Sequence, residues 1–144
     1  MKTDKLVTNM KSVFVGAFTF ILIFFLSSCT PKIPFNTSTV VPAADGYVTV
    51  KTDKNLNYEI KISVSNLAEV ENLMPLEHVY VVWIVTEQDS TINIGGLITS
   101  KKLNAVFNTV TSFKPVQIMI TAEEDASISS PIGKMVLTTE KFWD

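Results

Sequence analysis

The alternation of apolar and polar side chains over Tyr58–Ser65 constrains the fold of this chain more than any other feature. Tyr58, Ile60, Ile62 and Val64 lie on one face of an extended strand, and the residues that alternate with them are polar or charged. A period of two is typical of a strand that buries one face and exposes the other. The segment therefore predicts an antiparallel β-sheet with one face against a hydrophobic core.

A second stretch, residues 78–86, is apolar on both faces and rich in β-branched and aromatic residues. It is too short for a typical helix, and we expect it to be the central and most buried strand. Turn signals predict a hairpin turn at 53–57 and a helical turn at 68–71, and Gly95-Gly96 indicates a bulge or a close backbone approach. The other predicted strands are residues 46–52, 91–99, 105–113, 115–122 and 133–139.

About seven short strands, the absence of sequence repeats and the absence of a long helical pattern predict an all-β fold. We expect an antiparallel β-sandwich of about seven strands with immunoglobulin-like proportions, and an open or closed barrel is the alternative. Residues 123–131 are interpreted as a polar, solvated loop that precedes the last strand.

The N-terminal residues differ in character from the rest of the chain. Lys2, Lys5 and Lys11 precede an almost unbroken apolar run over residues 13–26, and two serines and the only cysteine, Cys29, follow it. The run is shorter than the ~20 residues of a membrane-spanning helix and has the length of a signal-peptide core.

The sequence Leu26-Ser27-Ser28-Cys29 resembles the lipobox of bacterial lipoproteins. The resemblance implies that residues 1–28 are a cleaved signal peptide and that Cys29 is acylated. Membrane lipid would then be a partner through acylated Cys29, because two or three acyl chains hold a small domain durably. The alternatives are a signal anchor that is never cleaved and an ordinary secretory signal in which Cys29 is incidental.

Thr30 and Pro31 follow the cysteine, and no Asp stands directly after it. Under the sorting rules that the lipoprotein resemblance implies, this favours the outer membrane, with the protein facing the periplasm. The prolines of residues 29–45 predict a lipidated cysteine followed by a tether that spans up to ~50 Å when extended. Residues 46–144 are then the β-sandwich domain.

The charge of the mature chain argues against nucleic acid as a partner. Without residues 1–28 the chain has nine lysines, no arginine and thirteen aspartates and glutamates, which is a net charge near −4. Such a chain lacks both a positive field and the bidentate guanidinium group that phosphates favour. With a single cysteine it also forms no intramolecular disulfide, so its core alone must stabilise it.

No catalytic, cofactor-binding or metal-binding residues are predicted. His78, the only histidine, stands beside Glu77 without the Cys or His partners that a metal site requires. No Gly-x-Ser-x-Gly motif is present to position a catalytic serine. The acidic residues Glu123–Asp125 supply oxygen ligands, and a Ca²⁺ site there is an open alternative to a solvated acidic loop.

Three aromatic residues, Tyr80, Trp83 and Trp143, could form a platform for a sugar. Trp83 lies inside an apolar strand, and such a residue is more often part of a core. Trp143 lies near the end of the chain and is the freer candidate for contact with a ligand.

Five segments of the mature domain together form a second pattern. They are Tyr80 to Val85, Ile94 to Leu97, Phe107, Ile120 to Glu123 and Pro131 to Leu137. In this order, over residues 79–138, they resemble the extracytoplasmic β domain of anti-sigma-K-type regulators. The resemblance implies a β fold in the cell envelope. It implies no sigma-factor binding here, because those regulators carry a cytoplasmic helical domain and a membrane-spanning helix that this sequence does not show.

From these features we expect a lipid-anchored cell-envelope protein that is not an enzyme. It would act as a binding or structural module with an envelope protein or a glycan as its partner. The alternative is an envelope-sensing component related to the extracytoplasmic domain of an anti-sigma regulator.

Overall fold

The computed structural model describes residues 30–73 and 77–143, which form two antiparallel sheets of four strands each. This confirms the all-β sandwich predicted from the sequence. The predicted signal peptide and Cys29 lie outside the described residues. The elements are β1 (Ile33–Pro34), β2 (Asp45–Thr52), β3 (Tyr58–Ser65), α1 (Val70–Leu73), β4 (Val79–Thr86), β5 (Thr91–Leu97), β6 (Ala105–Thr111), β7 (Pro115–Glu123) and β8 (Lys134–Thr138).

The first sheet has the strand order β1-β2-β3-β6, and the second has the order β5-β4-β7-β8. The chain crosses between the sheets after β3, after β5 and after β6. These crossings give a Greek-key sandwich of the immunoglobulin-like kind. The strand beyond the predicted seven is β1, which consists of only two residues.

The core lies between the inner faces of the two sheets. From the first sheet, Ile60, Ile62 and Val64 point inward at alternate positions of β3, as their period predicts. From the second sheet, alternate residues of β4 and β7 meet them, and these side chains are fully or almost fully buried. They are Tyr80, Val82, Ile84, Ile118, Ile120 and Ala122.

The strand registers separate the connections into two sets. Short turns at 53–57, 87–90 and 112–114 lie at one end of the sandwich together with residues 140–143, and we call this the turn end. Longer connections lie at the opposite end, which we call the loop end. They are residues 37–44, 66–73 with 77–78, 98–104 and 124–133.

The N-terminal segment differs from the predicted tether, because from Ile33 onward it packs on the sandwich. β1 pairs with β2, and Phe35 forms an isolated bridge with Thr139 beside β8. The segment therefore closes the gap between the two sheets, and Phe35 and Val41 are buried in the core. Its prolines are compatible with this packing because β1 is an edge strand that pairs on one side only.

The predicted irregularity at Gly95-Gly96 is confirmed. The register between β4 and β5 shifts so that Val82 lies opposite Gly95 and Trp83 lies opposite Asn93. Gly95 has a φ of 134°, and a Cβ there would lie 3.1 Å from the ring of Phe107. Glycine is needed here because other residues rarely adopt this conformation.

Within residues 30–73 and 77–143, the structure contains no helix with the length and hydropathy needed to cross a bilayer.

Candidate functional site

Two neighbouring surface hollows lie at the loop end, among the residues that the structure describes. The larger has a volume of about 430 Å³, and the smaller has a volume of about 360 Å³. His78 lines the first and its neighbour Glu77 lines the second, so this short segment separates them. The first is also lined by Glu69, Glu71, Tyr80, Ile98 and Thr99, and the second by Glu123, Glu124, Asp125, Ile128 and Ile132.

The loop end is strongly acidic. Counted with the strand residues directly beside the connections, seven carboxylates lie there against three ammonium groups, whereas the turn end has four carboxylates against three ammonium groups among its described residues. Lysines of a partner would find a favourable field at the loop end. The loop-end groups are Asp45, Glu69, Glu71, Glu77, Glu123, Glu124 and Asp125 against Lys101, Lys102 and Lys134.

Two isoleucines stand out among these charges. Ile98, at the first hollow, is 84% exposed, and Ile132, at the second, is 81% exposed. Protein-binding surfaces commonly place apolar anchors inside a polar rim. Each hollow therefore combines an exposed aliphatic side chain with carboxylates, which is an arrangement suited to a basic and partly apolar protein segment.

The wall of the second hollow is the connection between β7 and β8, residues 124–133, which we call the strap. It crosses the outer face of the second sheet from β7 to β5. There the Asn93 side-chain amide donates to the carbonyl oxygens of Ala126 and Ile128, both at 2.8 Å. This route passes over β4, whose outward-facing Val81 and Trp83 are fully buried although the core lies on the opposite face of the strand.

A hydrogen-bond network beneath the strap connects it to the sheet. The indole N–H of Trp83 donates to Thr121 Oγ1 at 2.8 Å, and the Thr121 hydroxyl donates to Glu123 Oε1 at 2.5 Å. The Glu123 carboxylate also accepts from the backbone N–H groups of Ile132 at 3.3 Å and Gly133 at 2.7 Å. Glu123 is only 3% exposed, so these donors compensate the cost of burying its charge.

Gly133 has a steric reason for lacking a side chain. A Cβ on Gly133 would collide with the carbonyl oxygen of Ala122, and it would lie 2.7 Å from Glu123 Oε2. The close approach lets the Gly133 N–H reach the buried carboxylate. The strap therefore ends in a position that only glycine fits.

The interpretation of residues 123–131 as a wholly solvated loop is wrong for Glu123. Its carboxylate turns inward because it is the acceptor of the network beneath the strap, whereas Glu124 and Asp125 are exposed. Asp125 Oδ1 accepts from the N–H and the hydroxyl of Ser127, both at 2.7 Å. The bond from the Ser127 backbone N–H is the main reason that the pKa of Asp125 lies below its ordinary value, and the bond from the Ser127 hydroxyl lowers the pKa further.

The acidic residues do not converge as metal ligands do. Across the described ranges, no group of three or more His, Cys, Asp or Glu side chains is arranged to hold a metal ion. His78 is exposed, and its backbone N–H donates to the Glu123 carbonyl oxygen at 2.9 Å. His78 is therefore an exposed residue that directly precedes β4.

The aromatic platform is not formed, because two of its three predicted members are buried. Trp83 lies under the strap, and Tyr80 lies in the core with its hydroxyl donating to the Ala68 carbonyl oxygen at 2.7 Å. Burial raises the pKa of the Tyr80 hydroxyl well above its ordinary value, and the nearby Glu71 and Glu77 raise it further. Trp143 is exposed, but it lies at the turn end.

Several of the residues that carry the resemblance to the β domain of anti-sigma-K-type regulators have structural roles. Trp83, Thr121, Glu123 and Gly133 belong to the network beneath the strap, and Gly95 packs against Phe107. Sequence reasoning treated them as separate motifs, because it had no strap to connect them. The one signal for the strap is that residues 79–86 are apolar on both faces, which requires a cover on each side of the sheet.

Comparison of the chain with known protein families, curated proteins and solved structures finds no match.

Proposed function

We propose that this protein is a lipid-anchored β-sandwich of the cell envelope that acts as a non-enzymatic binding module. Acylated Cys29 holds it in the membrane. The residues after Cys29 favour the outer membrane, with the protein facing the periplasm. Its loop end binds a protein partner that carries lysines and apolar side chains.

The observation that carries the proposal is the polarity of the sandwich. β1 runs antiparallel to β2, so the chain enters from the side of the turn end. The two hollows, the seven carboxylates and the exposed Ile98 and Ile132 lie at the opposite end. A protein attached through Cys29 would therefore present its acidic, apolar-studded end away from the membrane.

Burial of the aromatic residues favours a protein over a glycan as the partner. Sugar sites commonly stack a ring against an exposed aromatic face, and neither Tyr80 nor Trp83 has such a face available. Carboxylates surrounding an exposed aliphatic side chain suit a polypeptide better. The alternative is an envelope-sensing role related to anti-sigma regulators. In that alternative, the polypeptide that binds the loop end belongs to a membrane regulator.

The anchor is tested by fractionation of cells that express the wild type, Cys29→Ala and, as a matched control, Ser28→Ala. We expect the wild type and Ser28→Ala to be processed, to gain the mass of attached acyl chains and to remain with the membrane fraction. Cys29→Ala should lose the acyl mass. If Cys29→Ala is processed to the same size and stays membrane-bound, acylation is not the anchor.

The binding end is tested with a photo-cross-linking amino acid placed at Ile98 or Ile132 in intact cells. The matched position is Leu56, which is 74% exposed but lies at the turn end. We expect one protein species to be captured from the two loop-end positions and not from Leu56. Capture of a membrane regulator would favour the sensing alternative, and equal capture from all three positions would contradict a binding site at the loop end.

A further inference from the structure

The packed N-terminal segment leaves little chain between Cys29 and the sandwich. Ile33 is the first residue of β1, and it lies opposite Val48 in β2. Cys29 is four residues before Ile33, so a fully extended chain places it at most about 14 Å away. The ~50 Å tether expected from the sequence is therefore not available.

This reach is about the distance from Ile33 to the turn end. Four residues of β2, from Val48 to Thr52, separate the two levels, and a strand rises about 3.4 Å per residue. The hairpin turn 53–57 extends beyond Thr52. With the acyl chains of Cys29 in the bilayer, no length of chain remains to lift the turn end away from the headgroups.

The turn end carries three large apolar side chains that have no core to pack in. Leu56 at the tip of the hairpin is 74% exposed, Phe113 in the turn between β6 and β7 is 53% exposed, and Trp143 is 45% exposed. The connections that hold them are neighbours. Tyr58 at the base of the hairpin pairs with Thr111, and the N–H of Phe142 donates to the carbonyl oxygen of Val116, the second residue of β7.

Charge distinguishes this end from the loop end, which also exposes isoleucines. The carboxylates of the turn end are balanced almost one for one by lysines, and two of them form ion pairs, Lys114–Glu87 and Lys141–Asp89. The loop end has an excess of four carboxylates among its described residues. An anionic lipid surface repels the loop end more strongly, so the turn end is the one that such a surface accepts.

We propose that the turn end is a lipid-contacting surface, in which Leu56, Phe113 and Trp143 enter the headgroup region of the membrane that holds Cys29. The indole of Trp143 suits that position, because Trp combines an apolar body with a polar N–H group. The contact fixes the sandwich upright and directs both hollows away from the membrane. The proposal rests on the acylation of Cys29 proposed above.

The test uses the full-length protein, purified from membranes and reconstituted into vesicles of phosphatidylcholine and phosphatidylglycerol. Single cysteine variants are labelled with an environment-sensitive dye. They are Leu56→Cys and Phe113→Cys at the turn end, Ile98→Cys and Ile132→Cys at the loop end, and Val106→Cys on the outer face of the first sheet. Lipids with a quencher near the headgroup then report which positions meet the membrane. An unchanged circular dichroism spectrum of each variant before reconstitution shows that the sandwich is folded.

We expect quenching at Leu56 and Phe113 to be several times larger than at Ile98 and Ile132. Equal quenching at the two ends, or strongest quenching at Val106, would overturn the upright orientation. The intact mass of the wild type separates the two proposals. An acylated wild type with unquenched turn-end labels refutes only the lipid-contacting surface, whereas a wild type without acyl mass, which also takes up dye at Cys29, refutes the anchor.

Discussion

The indole N–H of Trp83 on β4 donates a 2.8 Å hydrogen bond to the hydroxyl of Thr121 on β7, on the outer face of the second sheet. The outer face of a sandwich sheet is ordinarily solvated, yet both side chains are buried. The strap makes this possible, and Glu123 fastens the strap by accepting from Thr121 and from two backbone N–H groups of the strap. The sandwich therefore has a second, smaller packed layer outside its core.

The Thr121 hydroxyl should be essential to this layer. Thr121→Val keeps the shape but leaves the buried Trp83 N–H without an acceptor, which we expect to lower the free energy of unfolding by about 1–3 kcal/mol. The matched control is Thr49→Val on the half-exposed outer face of the first sheet, where a smaller change is expected. Urea denaturation measures both, and equal losses would contradict the role of the network.

The Glu123 carboxylate should matter for its two acceptor oxygens. Glu123→Gln replaces one acceptor by an amide that points a donor at a backbone N–H, so we expect a loss of about 1–3 kcal/mol in the free energy of unfolding. Glu124→Gln is the control, because Glu124 is exposed one residue further along. A double variant with Thr121→Val should lose less than the sum of the single losses, since the two side chains share one network. Additive losses would show that they act independently.

Local periodicity was sufficient to predict most of the strands. The predicted strand 58–65 coincides with β3, and the strands at 46–52 and 78–86 differ from β2 and β4 by one residue at the start. The hairpin turn at 53–57 is confirmed by the bond from the Asp53 N–H to the Asn57 carbonyl oxygen. These elements follow from side-chain alternation and turn chemistry, which are properties of neighbouring residues.

Two features depend on residues far apart in the sequence and were missed for that reason. Proline content made residues 33–45 resemble a tether, but the position of Phe35 depends on Thr139, more than a hundred residues away. Charge made Glu123 resemble a solvated residue, but its partners belong to the end of the strap. Neither the segment that closes the edge of a sandwich nor the residues that a loop packs against have a local sequence pattern.

Gly133 should control how the strap closes. In Gly133→Ala the new methyl group meets the Ala122 carbonyl oxygen, and backbone atoms cannot move aside cheaply, so we expect a loss of about 1–3 kcal/mol. The strap should loosen, and in a Trp143→Phe background, where Trp83 is the remaining tryptophan, the fluorescence emission should shift to longer wavelength. Gly96→Ala is the control, because its nearest contact is the Val79 side chain at 3.3 Å. An unchanged emission spectrum in Gly133→Ala would show that the strap tolerates the methyl group.

Phe35 should stabilise the domain although it lies in the predicted tether. It is buried between β2 and β8, and Phe→Ala substitutions at buried sites typically cost about 3–5 kcal/mol. We expect Phe35→Ala to approach the lower part of that range, since the segment lies at the edge of the core. Thr39→Ala, exposed in the same segment, should have little effect. If Phe35→Ala is as stable as Thr39→Ala, residues 33–45 do not belong to the domain.

Asp53 should make the stability of the hairpin depend on pH. Its carboxylate accepts from the backbone N–H of Asn57 at 2.9 Å, from the Asn57 side-chain amide at 3.1 Å and from the Asn55 N–H at 2.7 Å. The bonds from Asn57 are the main reason that its pKa lies below the ordinary value of 3.8. A pKa that is lower in the folded state gives stability that is present above the unfolded pKa and is lost as the pH falls through the folded pKa.

We therefore expect the wild type to melt at a higher temperature than Asp53→Asn at neutral pH, and the difference to shrink as the pH falls below about 4. Asp45→Asn serves as the control, and a difference between wild type and Asp53→Asn that stays constant down to acid pH would contradict the role of the ionised carboxylate.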